Sequence, residues 1–245
     1  MAGMRSELHR SVIGLAAAAW VLAAANGAAQ TQPRGRFMVQ PFEAPALSVT
    51  SLDVAASGEI VLAALPPEGS KADPGMRVAR FDAAGRKLWE RNPAPRSEFV
   101  LGVIARAAGA DHTLVLHDET PKEQSQLALL RLDGKGQTLW RRELGPGAAS
   151  DLAVDGDAGA LVSGSAVREK TGEIDALVMR VTADGAPTWR RRFSGERKDG
   201  GNSADILRLG GQGSAVFAGL ADIAYDKKDG SVSASRGVAM QLQTD

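Results

Sequence analysis

Trp89, Trp140 and Trp189 stand 51 and 49 residues apart, each at the same point of a shared pattern. The three segments are MRVARFDAAGRKLWER from Met76, LALLRLDGKGQTLWRR from Leu127 and ALVMRVTADGAPTWRR from Ala176. Arg80, Arg131 and Arg180 lie nine residues before the tryptophan, and Gly85, Gly136 and Gly185 lie four before it. A fixed period of this size means that one structural unit is stacked on copies of itself, because a single unit cannot bury its own apolar face. Whatever the chain folds into has to be a repeat of that unit.

Each unit reads as strand, turn, strand. In FDAAGRKLW the Asp and Gly supply a turn capped by a side chain and opened by a positive φ, and the flanking apolar residues alternate as paired strands require. Two further apolar segments precede each unit: SLDVAAS and GEIVLAAL, FVLGVIA and HTLVLH, SDLAVDGD and GALVSGS. A fourth copy has SADILRLGG and SAVFAGL, followed by GVAMQLQTD, which aligns with ALVMRVTAD of the third copy and stops short of the turn glycine. Four strands in about 50 residues is the period of a propeller blade. The large aromatic at one point per unit is expected to pack between neighbouring sheets, and the repeated arginines to pair with acidic residues of neighbouring blades.

The fold class is therefore all-β, a small β-propeller of about four four-stranded blades, with repeats at about 48–95, 97–145, 149–196 and 203–245. Gly35 to Val39 repeats the four-residue spacing of Gly185 to Trp189, so residues 35–42 are expected to supply the strand that the last blade lacks. Such a closure removes an exposed sheet edge. The alternative is a partial propeller completed by dimerisation.

The pattern DALVMRVTADGAPTWRRRFSG…SADILRLGGQGSAVFAG, from Asp175 to Gly219, resembles the repeat of bacterial exported β-propellers of the quinoprotein-like class. The resemblance implies a propeller fold and leaves activity open, since one fold hosts many functions. Members that bind pyrroloquinoline quinone combine an acidic calcium site with adjacent cysteines. This chain contains no cysteine, and no cofactor is expected.

Arg5 and Arg10 precede an apolar stretch from Val12 to Ala25, with small residues through Ala29. Residues 1–29 therefore read as a signal peptide cleaved near Ala29, leaving a single repeat domain over 30–245 that is periplasmic or secreted. The apolar stretch is too short and Ala-rich for a stable membrane span. Basic and acidic residues number 29 each, so no positive field gathers phosphates and nucleic acid is not an expected partner.

No catalytic or metal constellation stands out. Asp155 and Asp157 lie where a turn is expected, with no later Glu at the distance a calcium loop needs. His112 and His117 flank a short strand and read as turn or surface residues on opposite faces. LDGKGQT around Lys135 lacks the spacing of a phosphate loop. The arginines at 141–142 and 190–192 alternate faces of a strand, with a solvated outer strand as their expected setting. The sequence thus points to an exported, monomeric, non-enzymatic module that binds a protein or glycan, with an enzyme centred on the ring's channel as the alternative. The loop from Ala221 carries the only tyrosine, Tyr225, the candidate contact residue.

Overall fold

Alternating apolar residues and glycine turns produce fourteen strands among the described residues, with no helix. The computed structural model describes residues 47–66, 75–93, 100–109, 111–120, 125–155, 159–168, 170–196, 201–209, 214–225 and 232–243. The strands are β1 Ser48–Val54, β2 Ile60–Leu65, β3 Arg77–Phe81, β4 Lys87–Arg91, β5 Val100–Ala107, β6 Thr113–Glu119 and β7 Gln126–Leu132. They continue as β8 Thr138–Val154, β9 Gly159–Val167, β10 Ile174–Thr182, β11 Pro187–Phe193, β12 Gly201–Leu209, β13 Ser214–Tyr225 and β14 Val232–Gln243. All pairings are antiparallel between sequence neighbours. The closing strand expected at 35–42 and the loop tip at 226–231 lie outside the described residues.

The strands form four successive meanders. The first is β1–β4; the second is β5, β6, β7 and the first half of β8; the third is the second half of β8 with β9, β10 and β11; the fourth is β12–β14. The length of β8 is a departure from the sequence reading, which separates the second and third units. Strand pairing continues through Gly145-Pro146-Gly147, where Gly145 takes a φ of 95°, so one strand pairs with β7 up to Pro146 and with β9 from Gly147 onward. Two meanders thereby merge into a seven-stranded sheet.

The repeated Asp/Thr-x-x-Gly turn explains the register of the third and fourth strands. Asp82 and Asp133 each accept two backbone N–H groups through Oδ1, from Ala84 and Arg86 and from Lys135 and Gln137. Gly85, Gly136 and Gly185 take φ of 78°, 76° and 81°, a region other residues enter at a cost. Just beyond the turn a bulge places an extra residue, Leu88, Leu139 or Thr188, ahead of the tryptophan. It turns the tryptophan toward the next meander, and it leaves Leu88 and Leu139 exposed. Arg80, Arg131 and Arg180 are the cross-strand partners of Trp89, Trp140 and Trp189.

Three apolar clusters lie between meanders. Val61, Val78 and Trp89 meet Val103, Val115 and Leu130 between the first and second; Leu116, Leu129 and Trp140 meet Val162, Leu177 and Met179 between the second and third. Leu161, Val178 and Trp189 meet Leu207 and Phe217 between the third and fourth, where the Phe193 and Phe217 rings stand 5.0 Å apart. Each fully buried Leu, Val or Phe here contributes roughly 1.5–3 kcal/mol relative to exposure. Trp89 seats on Gly136 and Trp140 on Gly185, where an added Cβ would lie 2.8 Å from the indole carbons. The turn glycine of one meander is thus the socket for the tryptophan of the preceding one.

Candidate functional site

β1, β5 and β12 are sheet edges, and the second half of β8 pairs with β9 on one side, so the first strand of every meander has one row of backbone groups facing away from its own meander. Such groups need partners if they are buried. The edge strands lie side by side, β1 against β5, β5 against β8 and β8 against β12, and side chains stitch them together. Thr50 Oγ1 donates to the Val103 carbonyl at 2.7 Å, Ser51 Oγ accepts from Ala105 N at 2.9 Å, and Asp53 Oδ2 accepts from Ala107 N at 2.8 Å. Between β5 and β8 the direction reverses, with Arg106 Nε donating to the Leu152 carbonyl at 3.1 Å.

Asp151 is the node of this arrangement. Its Oδ1 accepts from Arg106 Nη2 at 2.9 Å and from Leu152 N at 2.8 Å, while Oδ2 accepts from Leu207 N at 3.0 Å and Arg208 Nη1 at 2.8 Å. One buried carboxylate therefore joins β5, β8 and β12 through two guanidinium groups. Charge-assisted bonds of this kind are among the stronger ones in proteins. Arg208 is held through Nη1 alone and its side chain is 70% exposed, against 22% for Arg106.

These strand ends enclose a cavity of about 470 Å³. Its lining combines Leu52, Val54, Leu152 and Leu207 with Asp53, Arg106 and Arg208. Within the repeat, Asp53, Arg106, Ala153 and Arg208 occupy equivalent positions, so each meander contributes the same turn of its edge strand to one depression. Sequence reasoning missed these residues. Asp53 and Ala153 precede their tryptophans by 36 residues but Arg106 precedes its own by 34, so unequal loops hide the equivalence.

The residues singled out from sequence do not line this cavity. Arg80, expected to pair with an acid of a neighbouring meander, meets Glu59 of its own at 2.6 Å and donates to the His112 carbonyl of the next meander at 3.0 Å. Arg180 pairs with Asp155 of its own meander at 2.7 Å, and Arg131 donates to the Ala183 carbonyl of the next at 2.9 Å, a carbonyl that Trp140 Nε1 also reaches at 3.2 Å. Arg80 and Arg131 join units through carbonyls because the turn they meet presents its backbone to the preceding unit. Tyr225 pairs through its backbone with Val232 at the end of the β13–β14 hairpin.

His117 is fully buried, contrary to the surface setting expected from sequence, because β6 extends to Glu119 between two neighbouring meanders. Neither ring nitrogen has a hydrogen-bond partner, and burial, reinforced by the Arg141 charge, lowers its pKa to about 4. Burial pushes the Asp118 carboxyl up. The two side chains leave opposite faces of β6 and do not form a pair. Among the described residues no group of three His, Asp or Glu side chains is placed to hold a metal ion, and no helix is long and apolar enough to cross a membrane.

No family model and no curated protein matches the chain. Among solved structures it is similar to an endo-arabinase from Bacteroides thetaiotaomicron, with a TM-score of 0.46 and 10% identity over 76% of this chain and 71% of that one. A beta-1,2-mannobiose phosphorylase from Listeria innocua aligns with a TM-score of 0.44 and 11% identity over 84% of this chain and 76% of that one. The Nup133 β-propeller domain from Vanderwaltozyma polyspora aligns with a TM-score of 0.40 and 12% identity over 72% and 56%. The chain spans 35% of a matched eukaryotic initiation factor. All of these TM-scores lie below 0.5, and the all-β architecture rests on the strand pairing itself.

Proposed function

We propose that the chain is an exported, non-enzymatic β-propeller module of four blades, the last completed by residues 35–42, that binds a protein segment at the cavity formed by its edge strands. The observation that carries this reading is the state of the carboxylates there. Asp151 is engaged by four donors and Asp53 by a backbone N–H, so both serve the fold rather than a proton transfer. What the cavity offers a visitor is apolar surface on Leu52 and Val54, each 58% exposed, beside the open edge of the Arg208 guanidinium.

That combination fits an apolar side chain flanked by a carboxylate. Apolar anchors ringed by Arg are a recurrent composition of protein-binding patches. A sugar ring is favoured by an aromatic platform, and the cavity lining contains no aromatic residue among the described ones. The test is selection of displayed peptides on the immobilised protein, followed by titration of an enriched peptide. Peptides rich in Leu or Phe beside Asp or Glu are expected, with Arg208→Glu weakening binding about tenfold or more. Equal binding to Arg208→Glu and to Leu52→Asp would contradict the assignment.

A further inference from the structure

Three consecutive arginines, Arg190, Arg191 and Arg192, stand on β11 of the third meander, which also carries Arg168. Arg168 is fully employed: Nε and Nη2 grip the two oxygens of Asp175 at 2.7 and 2.8 Å, Nη1 meets Glu173 at 2.6 Å, and Ser194 accepts from Nη2. It therefore balances one of the two local carboxylate charges. Lys170, Arg190 and Arg192 have no acidic partner among the described residues.

Arg190 is the most exceptional of the three. Its Nε and Nη2 are sealed from solvent without a hydrogen-bond acceptor. The residue as a whole is half-buried, and donors withdrawn from water need compensating acceptors. The side chain lies over Gly145, where an added Cβ would stand 3.5 Å from Nη1. Burial and the neighbouring Arg192 both push its ionisation down. Arg192, two residues along the strand and on the same face, opens into a cavity of about 490 Å³ that Arg168, Lys170 and Thr171 also line. Arg190 does not line that cavity, but two like charges on one strand face are tolerated at lower cost when an anion lies beside either of them.

We propose that this cavity, between the β9–β10 hairpin and β11, is a binding site for a phosphate or sulfate group, held by Lys170, Thr171 and Arg192 in the field of Arg190. Arg168 positions the site rather than serving it, because its own donors are spent on Asp175 and Glu173. The site is separate from the edge-strand cavity and does not depend on what that cavity binds.

Thermal unfolding in inorganic phosphate, against sodium chloride of matched ionic strength, tests the assignment. At about ten times Kd the melting temperature is expected to rise by roughly 4 °C. Arg192→Gln and Lys170→Gln should each reduce that shift at least twofold. Arg191→Gln, on the opposite face of the same strand, should leave it intact. Arg190→Gln should melt no lower than the wild type without phosphate and respond less to it. A second arm uses vesicles containing phosphatidylglycerol: binding lost in Arg192→Gln places the group on a lipid, and a phosphate response without vesicle binding places it on a free anion. No shift in phosphate together with no vesicle binding overturns the proposal, as does a shift that Arg192→Gln and Arg191→Gln lower equally.

Discussion

The charges at the edge strands and those on β11 are arranged in opposite ways. At the edge strands Arg106 and Arg208 converge on Asp151, whose carboxylate also caps two backbone N–H groups. On β11, Arg190 and Arg192 share a strand face and have no carboxylate among the described residues. The first arrangement stabilises the contact between meanders, because each ionic group replaces lost water by hydrogen bonds. The second costs stability in the free protein. A charge that the fold does not use is the better guide to a ligand.

Truncation separates the two regions most strongly. Arg106→Met leaves Asp151 with one exposed arginine and removes the bond to the Leu152 carbonyl, and should cost about 3–5 kcal/mol in urea unfolding. Arg208→Met, at a site 70% exposed, should cost under about 1 kcal/mol. Equal losses would show that the node does not depend on burial.

A pH effect of similar size comes from His117. Its folded pKa of about 4 lies below the ordinary 6.5, so the unfolded chain takes up the proton first. Stability is then complete above pH 6.5, declines as pH falls toward 4, and is lower by about 3 kcal/mol below that. His117→Leu should flatten this part of the profile in unfolding series between pH 7 and 4. An unchanged slope would place the titration elsewhere.

Smaller effects are expected at the glycine sockets. Gly136→Ala meets both a positive φ and the Trp89 indole at 2.8 Å, and should cost about 2–3 kcal/mol. Gly172→Ala has a φ of 73° but open space around the new methyl, and should cost about 1 kcal/mol. The difference in melting temperature between these variants isolates the contact from the backbone strain.

The repeat was legible because its marks are local. The turn, its glycine and the tryptophan four residues later lie on one hairpin, so their spacing survives changes elsewhere, and Arg80, Arg131 and Arg180 share it through cross-strand pairing. The cavity was not legible because its residues lie upstream of loops of unequal length and meet only across separate sheets. Asp151 looked like one more residue of a polar strand start, and nothing local signals that Arg106 and Arg208, 45 and 57 residues away, converge on it. His117 was misplaced for a related reason: the burial of an edge-to-core strand depends on meanders to both sides, which no short window contains.

Equilibrium unfolding of Asp151→Ala and Arg190→Met side by side, at pH 7 in phosphate-free buffer, tests the contrast most directly. Asp151→Ala should lose about 3–5 kcal/mol, because two arginines and two backbone N–H groups lose their acceptor. Arg190→Met should lose nothing or gain stability, since it removes two buried donor nitrogens that have no acceptor. A loss at Arg190→Met as large as that at Asp151→Ala would contradict the account, for it would make both charges part of the fold.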